Sequence, residues 1–302
     1  MKKILLVLLS TFALSVQAKE NVTIIYSWTV GDTAANFHRS LAEQANKIQD
    51  KYNFIFDAKP GAGGSIAANY VLREPNTILA TASAFFVRPN FFPTESHDIS
   101  QFKEILPECS APAVITSKKY KSWSEVPNNT KLTIGMSGVG TTTHLIATQL
   151  VKQYPNMNIV PFKSTSDALL SVLSGNTDFA VNFLGDSDQY TAIGSKNRVY
   201  VLGITGNQTV SGATPLIKQG FSKDLEVMNV PAQLLVPANM PDSKFKEIRD
   251  ILVQSGRSKS VTDSYLPDHC QSMNQMSDAD IQPWYYKQTS DWRRLTQGVS
   301  LK

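Results

Sequence analysis

Residues 135–145 read Gly135-Met136-Ser137-Gly138-Val139-Gly140-Thr141-Thr142-Thr143-His144-Leu145. A β-rich run at 131–136 leads into this stretch, and Ile146, Ala147, Leu150, Val151 and Tyr154 follow it at helical spacing. The pattern predicts a strand, a glycine-rich bend and an amphipathic helix whose start Thr141 or Thr142 caps. Glycines let a backbone approach a ligand closely, and first-turn N–H groups have no intrahelical acceptor. A bend of this kind therefore favours anions.

Two further segments combine glycine, small hydroxyl residues and a following helix: Thr29-Val30-Gly31-Asp32-Thr33 and Gly61-Ala62-Gly63-Gly64-Ser65. Around them, β-rich runs at 22–28, 54–58, 77–82, 113–117, 131–136, 158–161, 179–183, 199–205 and 233–236 alternate with helical patterns. Ala34, Phe37, Leu41, Ala45 and Ile48 form one apolar helix face, and residues 167–174 make another helix stopped by Gly175. Alternation of this kind defines an α/β protein. The polar stretch 118–129 and the proline-bearing stretch 229–241 read as chain crossings. They predict one lobe from 19–122 and 232–302, a second from 123–231, and a cleft between them. Near the C-terminus a helix starts either at residues 277–280 or, delayed by Pro283, at Trp284.

Composition narrows the function. The chain has 302 residues, 42% hydrophobic and 18% charged, which excludes disorder and gives enough length for two lobes. Four His and two Cys leave little room for a metal centre, and no metal or other cofactor is expected. Lys2 and Lys3, the apolar run 4–16 and Val16-Gln17-Ala18 read as a signal peptide (residues 1–18) cleaved near Ala18, so a periplasmic location is expected. The run is too short to span a bilayer, and no Cys follows it to carry a lipid. Removing Lys2 and Lys3 leaves 27 basic residues against 25 acidic, scattered rather than striped, so nucleic acid is not an expected partner. Cys109 and Cys270 either form one disulfide after export or remain two buried thiols.

The order and wording of the glycine segments resemble the Bug-type periplasmic receptors of tripartite tricarboxylate transporters, over nearly the whole mature chain. That family pattern has a Gly-Gly-Ser-Thr-Asp-type loop with Arg four positions on, then a Gly-Ala-Gly-Gly stretch. A Gly-x-x-Gly-x-Gly-Ser/Thr-x-x-His-Leu segment follows, then Val-Pro-Tyr-Lys-Gly before a helix ending in Gly. The counterparts are residues 31–39, 61–69, 135–145 and Val160-Pro161-Phe162-Lys163-Ser164, followed by 167–175 and Asp178.

The resemblance implies a monomeric, two-lobed periplasmic binding protein, each lobe a mixed sheet flanked by helices. It would close on a small organic acid like a Venus flytrap and deliver it to membrane permease subunits, without chemistry on the ligand. Carried over by position, first-lobe contacts would be Trp28, Thr29, Gly31, Thr33, Gly63, Gly64, Ser65 and Ser83. Second-lobe contacts would be Ser137, Gly140, Thr141, Thr142, His144, Phe162 and Asp178. Departures from the pattern bear on the ligand. The family's loop Asp falls on Ala35 and its second Gly becomes Asp32. Asp32 either repels a carboxylate or caps the helix with its own lone pairs, and as a preferred N-cap residue it favours the cap.

Rival readings are weaker. Gly135-Met136-Ser137-Gly138-Val139 fails the Gly-x-Ser-x-Gly nucleophile elbow at Val139, and the glycine run lacks the last Gly of a dinucleotide fingerprint and the Lys of a P-loop. A secreted hydrolase is therefore the lesser alternative. A receptor of the same architecture serving another transporter or a sensor kinase, with a non-carboxylate solute, is the nearer one. His144 reads as a packing or capping residue or a contact, Trp28 as core or an apolar cleft wall. Arg39 and the aromatic group Trp284, Tyr285, Tyr286 and Trp292 read as structural.

Overall fold

A computed structural model describes residues 18–191, 197–263, 271–272 and 276–300. In chain order its elements are β1 (Glu20–Tyr26), α1 (Thr33–Ile48), β2 (Tyr52–Ala58), α2 (Ser65–Val71), β3 (Thr77–Ala82), α3 (Ala84–Phe91), β4 (Phe102–Ala111) and β5 (Ala113–Ser117). Then come β6 (Leu132–Ser137), α4 (Thr142–Gln153), β7 (Met157–Phe162), α5 (Thr165–Leu173), β8 (Phe179–Phe183), α6 (Leu184–Thr191) and β9 (Tyr200–Ile204). The chain ends with β10 (Val230–Pro237), α7 (Asp242–Gly256), α8 (Lys259–Thr262), β11 (Gln271–Ser272) and α9 (Asp278–Thr296).

The strands form two mixed sheets, ordered β11-β4-β10-β3-β1-β2 and β7-β6-β8-β5-β9. In the first, β1 pairs in parallel with β2 and β3, while β10 is antiparallel to β3 and β4. Side chains alternate across a strand. Val22, Ile24 and Ile78 accordingly face Leu41 and Ala45 of α1 and Ile248 and Leu252 of α7, whereas Ile25 and Leu79 share a core with Ala68, Phe86 and Tyr285. In the second sheet, β6 is parallel to β7 and β8, and β5 is antiparallel to β8 and β9. Phe179 and Val181 pack with Leu145 and Leu150 of α4, and Ala180 on the opposite face packs with Leu169 and Val172 of α5.

The sheets set the lobe boundary. The expectation that residues 113–122 belong to the first lobe is corrected, because β5 pairs only within the second sheet. The chain crosses at Pro112, which has no N–H to give to a ladder, and returns at Asn229 immediately before β10. Residues 118–129 are polar because they run over the surface of the second lobe, tucking in only Tyr120, Trp123 and Val126.

The periodicity also misses β4, whose Glu104, Pro107 and Glu108 break the apolar pattern although both acids are buried. At the C-terminus α9 starts at Asp278 and runs through Pro283. The proline forfeits one helix bond near the helix start, and burial of Ile281, Tyr285, Trp292 and Leu295 holds the helix in place. The aromatic group divides accordingly: Tyr285 and Trp292 are core, whereas Tyr286 is 67% exposed. Gly175 takes the left-handed conformation expected of a helix stop, with φ of 80°.

Phe179 is fully buried and stacks between Tyr120 and Trp123, at centroid distances of 5.4 and 5.6 Å. Replacing it by alanine leaves a cavity in the second lobe. Phe179→Ala is expected to cost about 3–5 kcal/mol of stability, measured by urea unfolding followed by tryptophan fluorescence.

Candidate functional site

A helix that follows a parallel strand begins at that strand's C-terminal edge, where an α/β sheet places its ligands. Here the edges of the two sheets face each other. The N-termini of α1, α3, α4, α5 and α6 converge on one cavity of about 150 Å³ between the lobes. Each brings first-turn N–H groups and the positive end of its dipole.

Three of these helix starts carry an acid of the protein's own. Asp32 caps α1: its Oδ1 accepts from Ala35 N at 2.7 Å, and Oδ2 accepts from the Tyr26 hydroxyl at 2.7 Å. Asp167 lies in the first turn of α5, which Ser164 caps, and Asp186 lies in the first turn of α6. The starts of α3 and α4 have no acid and instead offer Ser83, Thr141 and Thr142. Thr141 caps α4, its hydroxyl accepting from His144 N at 3.4 Å and donating to Gly138 O at 3.0 Å. Across the cleft, Ser83 Oγ and Thr142 Oγ1 are hydrogen-bonded at 2.6 Å, and Arg88 Nη1 donates to Val139 O at 3.1 Å.

Of the residues singled out from sequence, Trp28, Thr33, Ser83, Ser137, Thr141 and Thr142 line the cavity. The others do not, and each is placed by a different contact. Thr29 and Gly31 lie on the exposed loop before Asp32. Gly63 sits against the Arg88 side chain and Gly64 against Ser27, while Ser65 Oγ bonds His97 Nδ1 at 3.1 Å. Gly140 donates its N–H to His144 Nδ1 at 3.1 Å, so His144 takes the capping role. Phe162 packs over Gly135. Asp178 precedes β8, about 16 Å of strand from Phe183 at the cavity, and its carboxylate accepts from Thr133 N and Oγ1.

Residues missed in sequence include Tyr26, His38, Thr81, Thr165 and Asp186, all on the cavity wall. Asp186 carries a usable signal, since it falls directly after the run 179–183 at a strand's C-terminal edge. Cys109, which lines the cavity, is disulfide-bonded; Cys270 lies outside the described residues.

The electrostatics are set by burial and by the two aspartates. Burial, with Asp32 nearby, pushes Asp186 up to about 6, although the Thr165 hydroxyl at 3.1 Å favours its ionised form. Burial followed by the Asp32 charge raises Tyr26 well above its ordinary value. Burial disfavours the His38 cation, but Glu108 at 2.9 Å outweighs it and raises the ring overall. Among the described residues, neither Lys nor Arg lines the cavity.

Two sheet-based lobes joined by two crossings, with a cavity at the facing strand edges, define the periplasmic binding protein class. The sequence profile for the tripartite tricarboxylate transporter family receptor, TctC, matches residues 37–301, and the chain belongs to that family. Similar solved structures include a periplasmic transporter (TM-score 0.82, 17% identity, covering 94% of this chain and 99% of that one). The periplasmic binding protein BugD aligns with TM-score 0.80 and 19% identity, over 92% of this chain and 97% of its own. MatC of Rhodopseudomonas palustris, solved with bound malate, aligns with TM-score 0.79 and 15% identity over 92% and 99%. No curated protein matches the sequence.

The raised Asp186 makes a signed prediction. Its folded-state affinity for a proton exceeds the unfolded one, so the residue lowers stability progressively as pH rises from about 4 through about 6, by on the order of 3 kcal/mol at full ionisation. Asp186→Asn is therefore expected to be the more stable protein near pH 8, with the advantage disappearing near pH 4. Urea unfolding of both proteins at the two pH values measures this.

Proposed function

We propose that this protein is a periplasmic receptor that captures a small organic acid in the interlobe cavity and delivers it to the membrane permease of a tripartite tricarboxylate transporter. The observation that carries the reading is the pair of helix starts, α3 and α4, which reach the cavity from opposite lobes with hydroxyls and free first-turn N–H groups but no acid of their own. A carboxylate there would be held by dipoles and hydrogen bonds rather than by a buried Arg or Lys.

Size agrees with this. An engineered cavity of about 150 Å³ accepts benzene, and the interlobe cavity is of that order. The malate of MatC and the adipate bound by a second R. palustris protein, of TM-score 0.77 and 18% identity, are small acids of this scale.

Capture proceeds by hinge closure about the crossings at Pro112 and Asn229. The contacts Ser83–Thr142 and Arg88–Val139, and the Phe92 ring against Gly140, join the lobes and belong to the closed state. The ligand then shifts an open-to-closed equilibrium by binding the closed form better. Trp28, Thr33, Ser83, Ser137, Thr141 and Thr142 are the proposed contacts. A Cys109–Cys270 disulfide would tie the C-terminal segment to β4 beneath the site, after removal of a signal peptide near Ala18. The receptor acts as a monomer and performs no chemistry on its guest.

A thermal-shift panel of mono-, di- and tricarboxylates, aromatic acids, amino acids and sugars tests the reading. A ligand at a hundred times its Kd should stabilise the protein by about 2.7 kcal/mol. Thr142→Ala, which removes the hydroxyl that spans the cleft, is expected to weaken the best acid by roughly 1 kcal/mol, or about fivefold, with an unchanged circular dichroism spectrum. Shifts from sugars but from no acid would overturn the assignment.

A further inference from the structure

The cavity has a second pole. Asp32 approaches it from the first lobe and Asp186 from the second, close enough for the charge of one to bear on the other. Their hydrogen bonds to Ala35 N, Tyr26 and Thr165 orient them without cancelling their charge. Among the described residues the one basic side chain on the wall is His38, which is paired with Glu108 at 2.9 Å. Thr81 adds an independent sign of a guest. It is 2% exposed and lies on the cavity wall, and its Oγ1 has no hydrogen-bond partner within the protein.

The wall is thus divided. At α3 and α4 it offers helix starts without an acid, together with hydroxyls; at α1 and α6 it offers two carboxylates with neither Lys nor Arg among the described lining residues. A guest that is only negative satisfies the first pole and is repelled by the second. A guest carrying both signs satisfies both.

We infer that the ligand is amphoteric: a small organic acid bearing a protonated amine, its carboxylate at the starts of α3 and α4 and its nitrogen between Asp32 and Asp186. This rests on the receptor reading above and specifies the guest more narrowly. In physical terms, the carboxylate accepts at the starts of α3 and α4, beside the Ser83–Thr142 bond that joins the lobes, and the ammonium bridges the other side of the cleft through one aspartate from each lobe. Both ends of the guest therefore reward closure, because each pole is made from both lobes.

Isothermal titration of the full chain near neutral pH, with acids matched except for the amine, is the test: succinate against aspartate, glutarate against glutamate, adipate against 2-aminoadipate, butyrate against γ-aminobutyrate. The same titrations are run on Asp32→Asn and Asp186→Asn. Asparagine is itself a preferred N-cap, so the first variant keeps the start of α1. The aminated member of the best pair is expected to bind at least tenfold more tightly, and each Asn variant to reduce that ratio at least fivefold by weakening the aminated member. If the plain acid binds as tightly as its aminated partner, or the ratio survives in both variants, the amphoteric assignment fails and the acid receptor stands. If no acid of either kind binds, the receptor reading itself fails and this inference falls with it.

Discussion

The start of a helix that follows a parallel strand cannot be satisfied by the helix itself, and the site of this protein is built from that constraint. Five such starts open on one cavity. Their N–H groups need acceptors, and the chain supplies some of its own: Asp32 for α1, Ser164 for α5 and Thr141 for α4. The demand left over at α3 and α4 is what a guest can meet. In the proposed receptor, recognition is the completion of helix caps across a cleft, a way to hold a small anion with neither Lys nor Arg among the described lining residues.

Beneath the cavity the first sheet carries charges that fix its geometry. Glu108 on β4 holds His38 of α1 at 2.9 Å with both groups almost fully buried. Burial, and the neighbouring charge of Glu108, keeps Glu104 well above the usual carboxylate range. Arg249 of α7 donates to Ile105 O at 2.8 Å and to Asp278 at 2.7 Å, joining α7, β4 and the start of α9. Buried ionic groups of this kind add little net stability against an apolar core, but they admit few arrangements. The His38–Glu108 bond ties α1, the helix that Asp32 caps, to β4.

Periodicity made most of this architecture legible, because β1, β6 and β8 each carry an alternating apolar row (Val22, Ile24 and Tyr26; Leu132, Ile134 and Met136; Phe179, Val181 and Phe183) and α1 has one clean stripe. The element that escaped was β4, whose Glu104 and Glu108 look solvent-facing in sequence and are buried by partners far away in the chain. The hinge was misplaced for a related reason, since a polar stretch marks surface exposure and not a change of sheet. The site was half legible. Thr141 and Thr142 were readable from capping chemistry, and Ser83 from the family resemblance. Tyr26 and Thr81 were not, because their roles follow from which strand edges face each other, a property of the sheet order β3-β1 and β6-β8 that no local pattern encodes, whereas Asp186, just past the run 179–183, carried a readable signal.

The glycines of 135–145 illustrate how a correct motif can carry a different physical meaning. Close backbone approach is what glycine permits, and at Gly140 the approaching group is the protein itself. The residue has φ of 76°, and a Cβ there would lie 2.5 Å from the ring of Phe92 in the opposite lobe. Beside it, Val139 O receives the Arg88 guanidinium, and three residues on from Val139, Thr142 meets Ser83. All three contacts connect α3 to the β6–α4 bend. The bend is therefore a docking surface for the other lobe, and its glycine is needed for the lobes to meet. Since the starts of α3 and α4 meet at these contacts, the hinge closure proposed above would couple ligand affinity to the same few atoms.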